Sequence, residues 1–133
     1  MIKLLFVLLI MSPFGGYCQL SKNVEGVYSA FRFEEMTKGY VTNLPNKGYS
    51  MNIEVKSLGE EIIEIRVTTK SKKGSNADVI KATVTSQNGV IAWKENWENG
   101  RSETFGVFDG STVTFTIRDR QSNTIRSKYY CRM

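Results

Sequence analysis

Residues 91–100, IAWKENWENG, set Trp93, Glu95 and Trp97 at two-residue spacing and end on Asn99-Gly100. In an extended chain alternate side chains share a face, so two indoles would flank one carboxylate. An inward carboxylate must find a partner, lie near an open end or take a raised pKa, because burying an unpaired charge is costly. Two readings follow. In one, the stretch lines a pocket entrance, aromatic with a single polar anchor at Glu95, the usual composition of a small-molecule site. In the other it is packed wall, with Glu95 turned outward by a bulge or satisfied by an internal Arg or Tyr. Phe33 and Tyr49 join Trp93 and Trp97 as aromatic candidates for the same lining.

Other chemistry has little to build on. The chain has no histidine, which removes the commonest general base and metal ligand and every triad that depends on imidazole. Two cysteines and no clustered acidic motif give a metal site few ligands. Glycine-rich phosphate loops are missing, and no two acids are singled out as a catalytic pair. The expectation is therefore a non-enzyme that needs no cofactor and no metal. The net charge of +5 is of solubility size. Its tight basic cluster, Lys70, Lys72 and Lys73 in KSKKGSN, reads as a solvated loop tip. No base-stacking aromatics lie beside it, so nucleic acid is not an expected partner.

The first eleven residues, MIKLLFVLLIM, carry one cation at Lys3 before an unbroken apolar run, followed by SPFGG. That is the layout of a secretory signal peptide, and the run is too short to cross a bilayer as a helix. Residues 1–18 are assigned to the leader and 19–133 to one domain, secreted or periplasmic. Cleavage after Cys18 leaves the small residues Gly16 and Cys18 before the cut. The alternative is a lipid anchor on Cys18 at the cell envelope, against which Tyr17 stands where a small residue is wanted. An upstream cut would retain Cys18 and permit a disulfide with Cys131. With Cys18 removed, Cys131 reads as a small buried apolar group.

From residue 49 the pattern has period two: Tyr49, Met51, Ile53 and Val55; Ile63, Ile65 and Val67; Ile80, Ala82 and Val84; Val113, Phe115 and Ile117. Leu58-Gly59-Glu60, Asn88-Gly89, Asn99-Gly100 and Asp109-Gly110 punctuate it, and the Asn-Gly and Asp-Gly pairs suit type I′ hairpin turns. Strands are expected near 26–33, 49–57, 61–70, 78–86, 90–97, 101–108, 111–118 and 124–131. The fold class is all-β, an eight-stranded antiparallel up-and-down meander that closes into a barrel to remove its exposed edges. An open two-sheet sandwich is the alternative. The expected inward set is bulky: Phe31, Phe33, Tyr49, Met51, Ile53, Ile63, Ile65, Ile80, Ile91, Trp93, Trp97, Phe105, Phe115, Ile117 and Tyr129. Residues 34–48 are too long for a tight turn. They hold a one-turn helix or a short strand at KGYVT, and residues 36–48 are the candidate lid or protein-contact loop.

Over residues 24–133 the arrangement resembles the lipocalin-like, or calycin, barrels of small exported bacterial proteins. Gly26-Val27-Tyr28 stands where that family shows Gly-x-Trp, and a longer first loop and a hairpin meander follow. Tyr28 replaces the tryptophan and no helix precedes Met133. The resemblance implies a closed barrel holding a small hydrophobic molecule in its lumen, with Arg126 or Arg132 packed over the opening aromatic. Two functions are thus expected to compete. One is a small hydrophobic or amphipathic ligand held by Phe33, Tyr49, Trp93, Glu95 and Trp97. The other is a filled, rigid scaffold that meets a protein partner through residues 36–48.

Overall fold

Alternation drives the architecture. The computed structural model describes residues 20–95 and 100–133. The leader, Cys18, Trp97 and the Asn99 turn position lie outside them. A short 3-10 turn, Leu20–Val24, precedes nine strands: β1 (Gly26–Glu35), β2 (Tyr40–Asn43), β3 (Ser50–Ser57), β4 (Ile62–Ser71), β5 (Gly74–Gln87), β6 (Val90–Glu95), β7 (Ser102–Asp109), β8 (Thr112–Asp119) and β9 (Thr124–Arg132). From β3 to β9 each strand pairs antiparallel with the next. β1 pairs with both β3 and β9, which closes the barrel and excludes the open sandwich.

The eight expected strands are all present, and β2 is the short strand at KGYVT within the long first loop. It pairs with the upper part of β1, Arg32 to Glu35, where β3 no longer does. A bulge between Ala30 and Arg32 bends β1 at that point. Phe31 falls in this bulge and is only half-buried, with Arg132 over its ring at 4.6 Å. The cation implied for the opening aromatic therefore sits on Phe31. Tyr28 is instead buried, 6.0 Å from the Phe108 ring, and donates its hydroxyl to Val24 O at 2.8 Å.

Turn chemistry follows backbone sign. Asn88 and Gly89 both have positive φ, 54° and 80°, as type I′ requires. Between β7 and β8 the two central residues are Gly110 and Ser111, and only Gly110 is positive, at 62°. That is the sign pattern of type II′, not the expected type I′. KSKKGSN departs further: β4 and β5 run through it and pair as far as Ser71 and Gly74, leaving Lys72-Lys73 as a two-residue tip. The stretch expected to be a solvated loop is thus mostly paired strand, with one of the tightest turns.

Most of the core lies toward one end of the barrel, although Met51 near the start of β3 and Leu44 after β2 are buried as well. Val24, Tyr28, Val55, Ile63, Ile65, Ala82, Val84, Val113 and Cys131 are all buried. The 3-10 turn closes this end. Ser21, itself buried, hydrogen-bonds Gly59 O and the Ser57 hydroxyl, and Ser21 N donates to Glu60 O at 3.1 Å. We call this the closed end. The upper end is formed by the last residues of β1, β4, β6 and β8 and the first of β3, β5, β7 and β9.

Candidate functional site

Hydrogen-bond register brings four aromatics into one row near mid-height. Trp93 pairs with Gly106, Gly106 with Phe115, Phe115 with Tyr129, and Tyr129 with Phe33. All five positions face the lumen. Ring centroids are 5.5 Å apart for Trp93 and Phe115, 6.1 Å for Phe115 and Tyr129, and 4.7 Å for Tyr129 and Phe33. These are ordinary tilted and edge contacts between rings. Gly106 makes the row continuous. A Cβ built there would overlap Trp93 Nε1 and Cε2, so the indole crosses β7 through the space a side chain would occupy and reaches Phe115.

Above this floor the lumen opens. Phe33, Tyr49, Val67, Ile80, Ile117 and Tyr129 face inward yet remain half-buried, whereas toward the closed end only Leu20 and Ile91 do so among the described residues. The inward face of the upper half is therefore a largely apolar cup, within which Met51 is buried and to which β5 also contributes the exposed Asp78. Tyr49 and Tyr129 place their hydroxyls 3.4 Å apart within it. Burial, and then the Tyr49 contact, push the Tyr129 hydroxyl well above its ordinary range, so it stays a neutral donor.

Glu95 sits one register position above Trp93, where β6 ends. Its carboxylate accepts Thr104 N at 2.9 Å and the Thr104 hydroxyl at 3.3 Å. Arg120 Nη2 stands 4.0 Å from the same oxygen. The inward carboxylate is thus satisfied from within. Beside it Arg101 Nε meets Asp119 Oδ2 at 3.1 Å, so this side of the rim is made of paired charges. Asp119 also accepts Gln121 N and Ser122 N, and these bonds, the Ser122 one foremost, hold its carboxyl below the usual range.

Of the five sequence candidates, Phe33, Tyr49, Trp93 and Glu95 lie at this one end, Trp93 as buried floor and Phe33 and Tyr49 as wall. Trp97 lies outside the described residues. Val67, Ile80, Ile117 and Tyr129 complete the cup; all four were already legible as inward, but nothing in the sequence marked which half of each strand stays open. Phe105 corrects an expectation: it pairs with Lys94 and Thr116 on the outer wall. There Arg118 lies 6.0 Å from its ring and bonds Glu103, which is 6 % exposed. The Arg118 hydrogen bond holds the Glu103 carboxyl low. Phe105, Arg118, Glu103 and Lys94, with Ala92, Val107 and the paired Trp93 and Gly106, line a cleft of about 320 Å³.

A second cleft, about 250 Å³, opens at the mouth between Tyr49, Thr69, Ser71, Lys73, Gly74, Ser75 and Asn76. Its lining residues are mostly of polar type, and Tyr49 is common to it and the cup. The β4–β5 tip that forms it is braced, with Lys73 N donating to Ser71 Oγ at 3.3 Å. The Lys72 stem packs so closely on residue 48 that a Cβ on Gly48 would lie 3.2 Å from Lys72 Cγ.

No known family and no curated protein matches the chain. Two solved structures are similar in fold. A de novo designed fluorescence-activating β-barrel has TM-score 0.49 and 14 % identity, covering 86 % of this chain and 96 % of that one. The fatty-acid-binding protein 1 of Echinococcus granulosus has TM-score 0.49 and 14 % identity, covering 84 % of this chain and 98 % of that one. At this level neither says anything of what the present chain binds.

Proposed function

We propose that this barrel takes a small hydrophobic or amphipathic molecule into the upper half of its lumen. One observation carries the reading: inward apolar side chains are mostly buried at the closed end, whereas six at the upper end, Phe33, Tyr49, Val67, Ile80, Ile117 and Tyr129, stay half-buried around the buried Met51. A barrel whose whole purpose was rigidity would gain by filling both halves, since each exposed methylene forgoes about 0.8 kcal/mol of burial. Phe33, Tyr49, Val67, Ile80, Ile117 and Tyr129 would contact the guest, over a floor of Trp93 and Phe115. Because Glu95 is engaged by Thr104, the polar contact falls to the Tyr49–Tyr129 hydroxyl pair. A binding role of this kind calls for no catalytic group.

The test is a neutral lipophilic fluorophore, N-phenyl-1-naphthylamine. Saturable enhancement is expected with the wild type. Ile80→Glu should weaken it by about tenfold, equivalent to ~1.4 kcal/mol, while circular dichroism keeps the strand signal. Absence of saturable enhancement in the wild type would remove the reading.

Export belongs to the same proposal and rests on residues 1–18 alone. Native mass spectrometry of protein from its own host would report the N-terminus, any lipid on Cys18 and any co-purified guest together.

A second reading, contact with a protein partner, is favoured by β2. Met36, Tyr40 and Val41 in the first long loop are 45 %, 50 % and 52 % exposed, and β2 has a strand neighbour on only one side. Tyr40→Ser with Val41→Ser should then abolish capture of the partner while leaving fluorophore binding intact.

A further inference from the structure

At the inward strand positions of the upper half every charged residue is an acid, Glu35, Asp78, Glu95 or Asp119, and among the described residues no Lys or Arg occupies one. Three of these carboxylates are engaged by the chain itself. Glu95 accepts Thr104 N and faces Arg120, Asp119 accepts Gln121 N and Ser122 N and pairs with Arg101, and Glu35 accepts Thr37 N at 2.9 Å. Asp78 forms no ion pair or side-chain hydrogen bond with a described residue. It lies on β5 two residues from Ile80 and directly across from Val67, both walls of the cup, and it is exposed. The other rim cations stand off the inward strand positions: Lys38 in the turn after β1, Arg126 at the β9 bulge, donating to Ser102 Oγ at 3.3 Å, and Lys73 at the β4–β5 tip, roughly 15 Å along the strand from Asp78. The reading above gives its neutral polar contact to Tyr49 and Tyr129 and leaves this carboxylate unused.

In an empty cup Asp78 is charged and hydrated. A guest lying on Val67 and Ile80 strips water from it, a cost recovered only by a group that donates to the carboxylate. A purely apolar guest returns nothing, and an anionic one adds repulsion. A protonated amine brings both the charge and the donors. Resting on the lumen reading above, we propose that Asp78 is a cation subsite on the wall of the cup, holding the protonated amine of an amphiphile whose tail lies against Val67, Ile80 and Ile117. The carboxylate sorts guests by what it excludes as much as by what it attracts.

Displacement of N-phenyl-1-naphthylamine at about pH 7, where an alkylamine is protonated, by dodecylamine, dodecanol and dodecanoate below their micelle concentrations separates the possibilities. Dodecylamine should displace the probe about fivefold better than dodecanol, and dodecanoate should be the weakest, a modest spread because Asp78 is exposed. Asp78→Asn should bring dodecylamine to parity with dodecanol, Asp78→Glu should retain the ranking, and added salt should compress it. Lys73→Met should leave the amine preference unchanged. Circular dichroism of Asp78→Asn should match the wild type, since the exposed side chain bonds no other described residue. Equal displacement by amine and alcohol, a preference for dodecanoate, or an amine preference that survives Asp78→Asn, including one lost instead in Glu35→Gln, would overturn the subsite while leaving the cup reading intact. Failure of the probe and of dodecanol alike would instead remove the cup reading.

Discussion

Trp93 and Gly106 face each other across β6 and β7, and the indole fills the volume that any larger residue at 106 would need. The aromatic floor depends on this absence. Gly106→Ala is expected to push the indole off Phe115 and cost about 1–3 kcal/mol, the range for overpacking a tight core. Urea unfolding gives the cost, and the emission of Trp93 in a Trp97→Phe background reports the displaced ring. An unchanged midpoint and spectrum would mean that the indole has another place to lie.

Glu95→Gln separates structure from binding. The amide keeps an acceptor for Thr104 but loses the charge that faces Arg120. A loss of about 1 kcal/mol in stability is expected, with fluorophore affinity kept within about twofold. Intact stability with lost binding would reinstate Glu95 as the anchor of the guest.

Tyr28→Phe probes the closed end. Its hydroxyl is the donor to Val24 O, which joins the 3-10 turn to β1. Removing it leaves a carbonyl beside a buried ring and should cost about 1–2 kcal/mol. Fluorophore affinity, set at the other end, should not move. Chemical unfolding and titration of the same sample check both statements.

Cys131 gives a pH signature. Burial in the lumen pushes its thiol from 9.0 up to about 12. The unfolded chain therefore releases this proton before the folded chain does. Its contribution is intact below the unfolded value and is lost as pH rises toward the folded one, at no more than about 1.4 kcal/mol per pH unit. Tyr28 and Tyr129 act in the same direction from a higher starting value, 10.0. Comparing wild type with Cys131→Ala between about pH 8.5 and 10 should show the steeper decline only with the thiol present. The native thiol should also resist Ellman's reagent until the chain is unfolded; rapid labelling of the folded protein would contradict its burial.

Legibility in the sequence followed the strength of each physical signal. Strict alternation in Tyr49–Val55, Ile63–Val67 and Val113–Ile117 specified strands and faces, since a one-residue slip would expose the whole apolar set. Closure was legible from short links and the absence of long crossovers, and β1 with β9 realises it. Phe105 was read from hydrophobicity alone, but the register of Trp93 on Gly106 puts glycine on the inner face and Phe105 outside, under Arg118. KSKKGSN looked like a loop because its composition is polar; pairing from Ser71 to Gly74 overrode composition, as tertiary context often does for strand propensity. The Glu95 contact was foreseeable only as a need for some partner, because Thr104 and Arg120 become neighbours through pairing across the sheet. The distinction between a sealed half and an open half had no sequence signal, since Ile65 and Ile80 are the same residue type in directly paired positions on opposite sides of it.

A methyl-resolved NMR titration with N-phenyl-1-naphthylamine addresses the cup most directly. Saturable shifts should concentrate on Val67, Ile80 and Ile117, while Val55, Ile65 and Val84 at the sealed end stay still. Shifts confined to Val107 on the outer wall or Val41 on β2, or no saturable shift at all, would contradict it.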